Sequence, residues 1–112
     1  MIPILLATYG TVFIAENGDG TPVGAATVER SAHFTGMSQA ELGELAVIEA
    51  VEGLGVATLL LAAAEDWARE HGLPFLALGT GVANSRARAF YARHGYQEED
   101  IRLAKALTSA SP

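Results

Sequence analysis

A glycine-rich stretch at residues 52–58 is the part of the sequence best suited to hold a charged ligand. It follows a strand-like segment and opens a helical pattern, so unpaired backbone N–H groups and the positive end of a helix dipole would point outward. Such a junction can bind a phosphate or pyrophosphate, and glycine lets the ligand approach the backbone. The alternative is a tight turn with close helix packing and no ligand. The residues are Glu52, Gly53, Leu54, Gly55, Val56, Ala57 and Thr58.

A second cluster covers residues 84–96 and combines polar, basic and aromatic side chains. Asn84 can cap a helix that runs to about His94, with Gly95 as its C-terminal stop. Phe90 and Tyr91 fall on one face of this helix. Taken alone, such an aromatic pair is most simply explained as core packing, and the asparagine as an ordinary helix cap.

The apolar pattern predicts the elements that would position these two clusters. Strand-like runs at residues 11–16 and 23–30, joined by a turn at 17–20, predict a β-hairpin. Residues 40–48 predict a third strand, although its apolar members Leu42, Leu45 and Val47 do not alternate regularly. A helix at residues 53–71 and an apolar strand at 75–80 then complete a βαβ unit with a parallel strand pair.

The helix predicted at residues 53–71 carries an apolar stripe. Its members recur at steps of three and four residues: Leu54, Ala57, Leu61, Ala64 and Ala68. Gly72 stops this helix and Pro74 prevents its resumption. A last strand is predicted from Tyr96 toward Leu107, and the small polar residues 108–112 predict a disordered tail.

Composition narrows the classes of function. With 112 residues, half of them apolar, the chain predicts one domain with one core over residues 1–107. A net charge of −6 argues against a nucleic-acid partner and favours cationic partners such as amines. Cysteine is absent, and His33, His71 and His94 are too scattered to form a metal cluster. Without a signal peptide or a membrane span, we predict a cytoplasmic protein with no membrane partner.

The two clusters, in this order, closely resemble the GNAT superfamily of N-acyltransferases over roughly residues 11–107. The strongest part of the resemblance is the spacing of five residues in the second cluster: Asn84, Ala87, Tyr91, Gly95 and Tyr96. It implies an α/β (α+β) fold, with a mixed, mostly antiparallel sheet, a splayed parallel strand pair and helices packed on the faces. The family's first strand and helices would be shortened or missing, because only residues 1–10 precede the hairpin.

The same resemblance implies an enzyme that moves an acetyl group from acetyl-CoA to a primary amine by direct attack in a ternary complex. Acetyl-CoA would lie in a gap between the strands at residues 40–48 and 75–80. Its pantetheine would pair with the backbone of Leu45, Ala46 and Val47, and its pyrophosphate would sit on the amides of residues 53–58. Asn84 would contact the pantetheine or the helix start, and Tyr91 would protonate the departing thiolate.

The acid and base of this reaction have specific candidates. A phenol with an ordinary pKa of about 10 makes Tyr91 a suitable proton donor to a thiolate of similar basicity. Glu44 is the predicted base because it lies on the strand lining the gap, and a solvated strand carboxylate is the alternative. Glu41 and His33 are weaker candidates on the same reasoning.

Two positions in the glycine-rich stretch depart from the family pattern. Glu52 stands where the family normally has glutamine or arginine, and Leu54 stands where another basic residue is frequent. A carboxylate near a pyrophosphate repels it by about 1–4 kcal/mol, less in salt. Alternatively, Glu52 lies in a first helical turn and favours the helix dipole, or it points into solvent. Arg86 and Arg88 would supply compensating charge, or are ordinary solvated arginines.

The short N-terminus predicts a homodimer, because a second copy could cover apolar surface that the family's missing helices would have buried. Two rival functions remain open. The first is a degenerate GNAT domain without CoA binding that acts as a dimerisation or regulatory module. The second is a nucleotide-binding fragment, which lacks the glycine spacing, Walker lysine and ribose-binding acid of such sites. The identity of the amine stays open.

Overall fold

The computed structural model describes residues 5–9, 12–32, 36–79 and 85–98, together with residues 105 and 107. Two compact units divide the chain, Met1–Gly79 and Thr80–Pro112. Asn84, His33 and the predicted tail at residues 108–112 lie outside the described residues. One domain over residues 1–107 stays a prediction.

A mixed sheet forms the centre of the first unit. Among the described residues, this sheet has five strands in the order β1-β2-β3-β4-β5. The three pairings from β1 to β4 are antiparallel, and β4 and β5 are parallel. The predicted mostly antiparallel sheet with one parallel pair is therefore confirmed. The bounds are β1 Leu5–Tyr9, β2 Val12–Glu16, β3 Pro22–Ala32, β4 Ser38–Val47 and β5 Leu76–Leu78.

The predicted hairpin is β2 and β3, and its turn is held by side chains as well as backbone. Asn17 Oδ1 accepts the amides of Asp19 and Thr21, each at 3.1 Å. Gly20 has φ 86°, a left-handed conformation that favours glycine. Strand β1 was not predicted, because its residues do not alternate between apolar and polar. It is a strand here through its pairing with β2.

Helix α1, Val56–Glu70, packs against β2, β3 and β4 and buries five of its side chains. Those are Val56, Leu60, Leu61, Ala64 and Ala68. One member of the predicted stripe, Leu54, lies outside the helix, because the helix starts later than expected. Leu54 precedes the helix and is 65% exposed, while Ala57 is half-buried. The described sheet residues complete the core with Phe13, Ala15, Val23, Ala26, Val28, Ala40 and Leu42.

The two α-helices in the described part of the chain end in the same way. In α1, Leu73 N donates to Ala68 O at 2.9 Å and Gly72 has φ 68°, which is the pattern of a Schellman cap. Helix α2, Ser85–Arg93, lies in the second unit and ends with Tyr96 N donating to Tyr91 O at 3.0 Å. The glycine stops predicted for both helices are therefore confirmed. Residues 96–98 are not a strand, and most of the predicted last strand lies outside the described residues.

Candidate functional site

A β-bulge interrupts β4 at Gly43. Thr27 of β3 pairs with Glu44, but the next residue, Val28, pairs with Leu42, so Gly43 is the extra residue. The Glu44 amide donates a hydrogen bond to Thr27 Oγ1 at 2.9 Å. A Cβ on Gly43 would lie 2.6 Å from the same oxygen, so glycine is required as long as the hydroxyl stays where it is.

The bulge reverses the direction in which the β4 amides point. Before it, Ala40 N donates to Phe75 O, toward β5. After it, Ile48 N donates to Val23 O, toward β3, as Glu44 N also does. Because N–H and C=O groups alternate sides along a strand, the intervening Leu45 and Val47 direct theirs away from β3.

The side of β4 that Leu45 and Val47 face is not paired with β5. The parallel pairing starts at Ala40 and Leu76 and ends at Leu42 and Leu78, so within the described residues it stops before the bulge. The backbone groups of Leu45 and Val47 therefore line an open edge. Those of Ala46 face β3, because its carbonyl oxygen would lie 3.1 Å from a Cβ on Gly24.

The glycine-rich stretch follows this open edge along the chain. A 3₁₀ turn, Glu49–Val51, leads into it, and its hydrogen bonds use the amides of Glu52 and Leu54. Gly53 and Gly55 have φ 80° and 84°, and neither would meet another atom within 4 Å if it carried a Cβ. The turn is thus open to solvent on the side where a ligand could approach, and its backbone requires glycine.

The start of α1 presents backbone donors. Gly55 is its N-cap and provides no side-chain cap, and the hydrogen bond from Leu59 N to Gly55 O is 3.0 Å long. The amides of Val56 and Ala57 precede that bond, at the position where an α-helix offers its first N–H groups no acceptor of its own. Together with the positive end of the helix dipole, such donors favour an anion at this end of α1.

The two departures from the family pattern are both exposed. Glu52 lies before α1 and not in its first turn, so its explanation as a first-turn acid was wrong. The helix begins later because Gly53 and Gly55 are left-handed. Leu54 and Leu59 occupy the N′ and N4 positions, where apolar residues form a hydrophobic staple. Leu54 is 65% exposed and Leu59 is 38% exposed.

The base candidate Glu44 lies on the face of the sheet opposite α1. Gly24 faces α1, because a Cβ there would be 3.0 Å from Leu60 Cδ1. Side chains alternate along β3, so Thr27 and its partner Glu44 face the other side. Glu44 is exposed, and the weaker candidate Glu41 is half-buried on the same face.

The second unit contains the acid candidate Tyr91. Its ring meets Phe90 and Tyr96 edge-on, with centroids 5.2 and 5.7 Å apart. Burial raises the pKa of the phenol above its ordinary value. Arg88 is bound to Glu98, with Nε 3.1 Å from Oε1, so its charge already has a carboxylate partner. Arg86 is exposed.

The sequence prediction missed Thr27 and Gly43. A signal was present, because the apolar residues Leu42, Leu45 and Val47 are spaced by three and then two. An extra residue explains that spacing, and a glycine inside a strand pattern indicates a bulge. The partner Thr27 had no such signal, because cross-strand register depends on the folded sheet.

None of the helices described here has the length and apolar character needed to cross a membrane.

Comparison with known proteins identifies related sequences and folds. A model of the Acetyltransferase (GNAT) family matches residues 2–96. An aminoalkylphosphonate N-acetyltransferase of Salmonella typhimurium is 37% identical over 67 residues, which cover 60% of this chain and 44% of that protein. A putative acetyl transferase from Pyrococcus furiosus has a TM-score of 0.81 at 25% identity, over 86% of this chain and 64% of that one.

An aminoglycoside N-acetyltransferase solved in complex with CoA is similar in fold alone. Its TM-score is 0.75 at 22% identity, over 87% of this chain and 66% of that one. The chain therefore spans less than half the length of the curated relative and about two thirds of these two structures.

Proposed function

The chain belongs to the GNAT family of acetyltransferases, and we propose that it transfers an acetyl group from acetyl-CoA to a primary amine. One observation carries the proposal. An open backbone edge at Leu45 and Val47 leads directly into a glycine turn and the start of α1. The pantetheine arm of acetyl-CoA is extended and ends in a pyrophosphate. It therefore needs backbone groups along a strand edge, followed by amides that can bind an anion.

The proposed pantetheine contacts follow from the direction of the backbone groups. Pantetheine is extended and carries amides, so it can add to a strand edge as a peptide does. Leu45 offers it a C=O group, Val47 offers it N–H and C=O groups, and Ala46 lies between them. Tyr91 and Asn84 complete the proposed contacts.

The pyrophosphate is proposed to sit on the turn and the first helical amides. The left-handed glycines leave the approach clear, and the donors are backbone groups with no competing cap side chain. These features fit an anion. The proposed residues are Glu52, Gly53, Leu54, Gly55, Val56, Ala57 and Thr58.

Charge around the turn lowers the expected affinity for acetyl-CoA. Glu52 is exposed beside the proposed pyrophosphate position and repels it. Arg88 offers little compensation, because its guanidinium is bound to Glu98. We therefore expect binding weaker than the backbone donors alone would give.

The proposed reaction is a direct transfer. The neutral amine nitrogen attacks the thioester carbonyl carbon, and Glu44, or water held by it, accepts the amine proton. The Leu45 amide stabilises the negative charge that develops on the carbonyl oxygen. The C–S bond breaks, and the Tyr91 phenol donates a proton to the sulfur. The raised pKa of Tyr91 keeps that proton in place at neutral pH.

The acceptor is proposed to be a small primary amine. The curated relative is an aminoalkylphosphonate N-acetyltransferase, and the net charge of −6 favours a cationic acceptor. We also propose a cytoplasmic location. Homodimerisation stays a prediction, and sedimentation at micromolar concentration tests it.

The alternative function is a GNAT-fold domain that binds no CoA and serves as a dimerisation or regulatory module. Glu52 and Leu54 favour it, because both replace groups that would attract an anion. Titration of acetyl-CoA by calorimetry, paired with thiol release from a panel of amines, separates the two functions. Binding with turnover supports the enzyme. Absence of binding at millimolar acetyl-CoA would exclude it in favour of the module.

A further inference from the structure

We propose that Thr27 is a positioning residue for acyl transfer, acting through the bulge in β4 rather than on the substrates. This inference rests on the proposed function, because it concerns the amide of Leu45 as donor to the thioester oxygen. Thr27 is half-buried on β3, and its hydroxyl oxygen accepts the Glu44 amide at 2.9 Å. Glu44 is followed in the chain by Leu45, whose own N–H faces the open edge.

The geometry explains why one hydrogen bond matters at this point. If Gly43 continued the regular alternation instead of forming the bulge, the Leu45 amide would face β3. The bulge therefore decides which amides reach the open edge. Bulged residues lack regular ladder pairing, so their orientation depends on local contacts. The Thr27 hydroxyl is one such contact.

Core packing stabilises the bulge itself. The Thr27 hydroxyl then affects only the exact orientation of the backbone amides that follow the bulge. Leu45 and Val47 pair with Ala26 and Gly24, residues that face α1. Losing the bulge would turn both apolar side chains to the other face of the sheet. We therefore expect a variant without the hydroxyl to keep the fold and the bulge, but to hold the Leu45 amide less firmly.

The Thr27 hydroxyl also depends on the absence of a side chain at Gly43. A Cβ on Gly43 would approach Thr27 Oγ1 to 2.6 Å, which leaves no room for a side chain. Removing the oxygen relieves that conflict, because the next contact, to Thr27 Cβ, is 3.7 Å. In stability, Gly43→Ala and Thr27→Ala should therefore be less damaging together than the sum of the two changes.

The decisive experiment compares Thr27→Val, which keeps the shape without the hydroxyl, with Thr27→Ser, which keeps the hydroxyl. Amide hydrogen exchange of Glu44 measures the hydrogen bond without any substrate. We expect faster exchange in the valine variant only. Misplaced catalytic groups can cost about 100-fold in rate, so we expect kcat to fall about 10- to 100-fold in Thr27→Val. The KM for acetyl-CoA should change less than about threefold. In Thr27→Ser, both the Glu44 amide exchange and kcat should stay close to those of the parent.

The outcomes separate this inference from the proposed function. If the parent is active and Thr27→Val has the same kcat, the positioning role is overturned. A Thr27→Ser variant whose kcat falls as far as that of Thr27→Val overturns it too. Unchanged Glu44 exchange in the valine variant overturns the hydrogen-bond account. A parent that acetylates no amine overturns the proposed function and the catalytic role together, while the exchange measurement still decides whether Thr27 holds the bulge.

Discussion

Gly24 of β3 lies against Leu60 of α1, so closely that a Cβ built on the glycine would be 3.0 Å from Leu60 Cδ1. The same Cβ would be 3.3 Å from Val56 Cγ1, at the start of the helix. Gly24 thus allows the beginning of α1 to approach the sheet beside the end of β4. The placement of the glycine turn depends on this contact.

Gly24→Ala should therefore destabilise the protein and weaken acetyl-CoA binding together. Overpacking a core typically costs about 1–3 kcal/mol, and the side chains of Leu60 and Val56 must shift at the end of α1 that carries the proposed anion site. Urea unfolding and calorimetry measure the two effects. Ala32→Val is the control, because it adds bulk at an exposed position of the same strand. A Gly24→Ala variant as stable as the parent would contradict the close packing.

The glycine turn and the β4 edge illustrate how far the sequence alone can lead. Glycine and proline are local sequence signals of turns. The hairpin turn, the ends of both helices and the turn at Gly53 and Gly55 could therefore be predicted. The start of α1 was placed three residues early, at residue 53 rather than Val56, because an apolar stripe does not reveal left-handed glycines.

Pairings between distant residues could not be predicted in the same way. The hydrogen bond from Glu44 to Thr27 joins residues 17 apart, and the direction of the Leu45 amide depends on it and on the register with β3. Only the irregular spacing around Gly43 hinted at the bulge. Strand β1 needed its partner β2 for the same reason.

Tyr91→Phe removes the proposed acid and little else. We expect kcat to fall about 100-fold or more, within the range for a lost general acid, with unchanged melting temperature and acetyl-CoA affinity. Steady-state kinetics on an accepted amine measures this. Tyr96→Phe is the matched control, because that ring is the edge-on neighbour of Tyr91 and has no proposed proton to give. Full turnover in Tyr91→Phe would mean that another group protonates the sulfur.

The raised pKa of Tyr91 also predicts how stability depends on alkaline pH. The unfolded phenol loses its proton at about pH 10, whereas the folded one, disfavoured as an anion by burial, keeps it to higher pH. The folded state then binds more protons, so stability falls as pH rises from about 10 toward the folded pKa. Urea unfolding between pH 8 and 11 should show a steeper loss for the parent than for Tyr91→Phe. Equal slopes would contradict the burial effect.

Glu52→Arg tests whether the acidic residue limits acetyl-CoA binding. Glu52 is exposed beside the glycine turn and lies before the first turn of α1. If the side chain approaches the pyrophosphate, repulsion becomes attraction, and affinity should rise about tenfold, equivalent to roughly 1.4 kcal/mol. Calorimetric dissociation constants at low and high salt measure the gain, which screening should reduce.

Glu70→Arg is the matched control for that gain. It makes the same change in net charge at the other end of α1, about 20 Å away at 1.5 Å per residue, where the proposed anion site does not reach. A local effect of Glu52 therefore predicts tighter binding in Glu52→Arg and nearly parental binding in Glu70→Arg. Equal gains in both variants would reduce the effect to net charge, and parental affinity in Glu52→Arg at both salt concentrations would exclude electrostatic repulsion. Failure of both parent and Glu52→Arg to bind acetyl-CoA would favour the module without CoA, because the turn would then lack affinity even with its repulsive group removed.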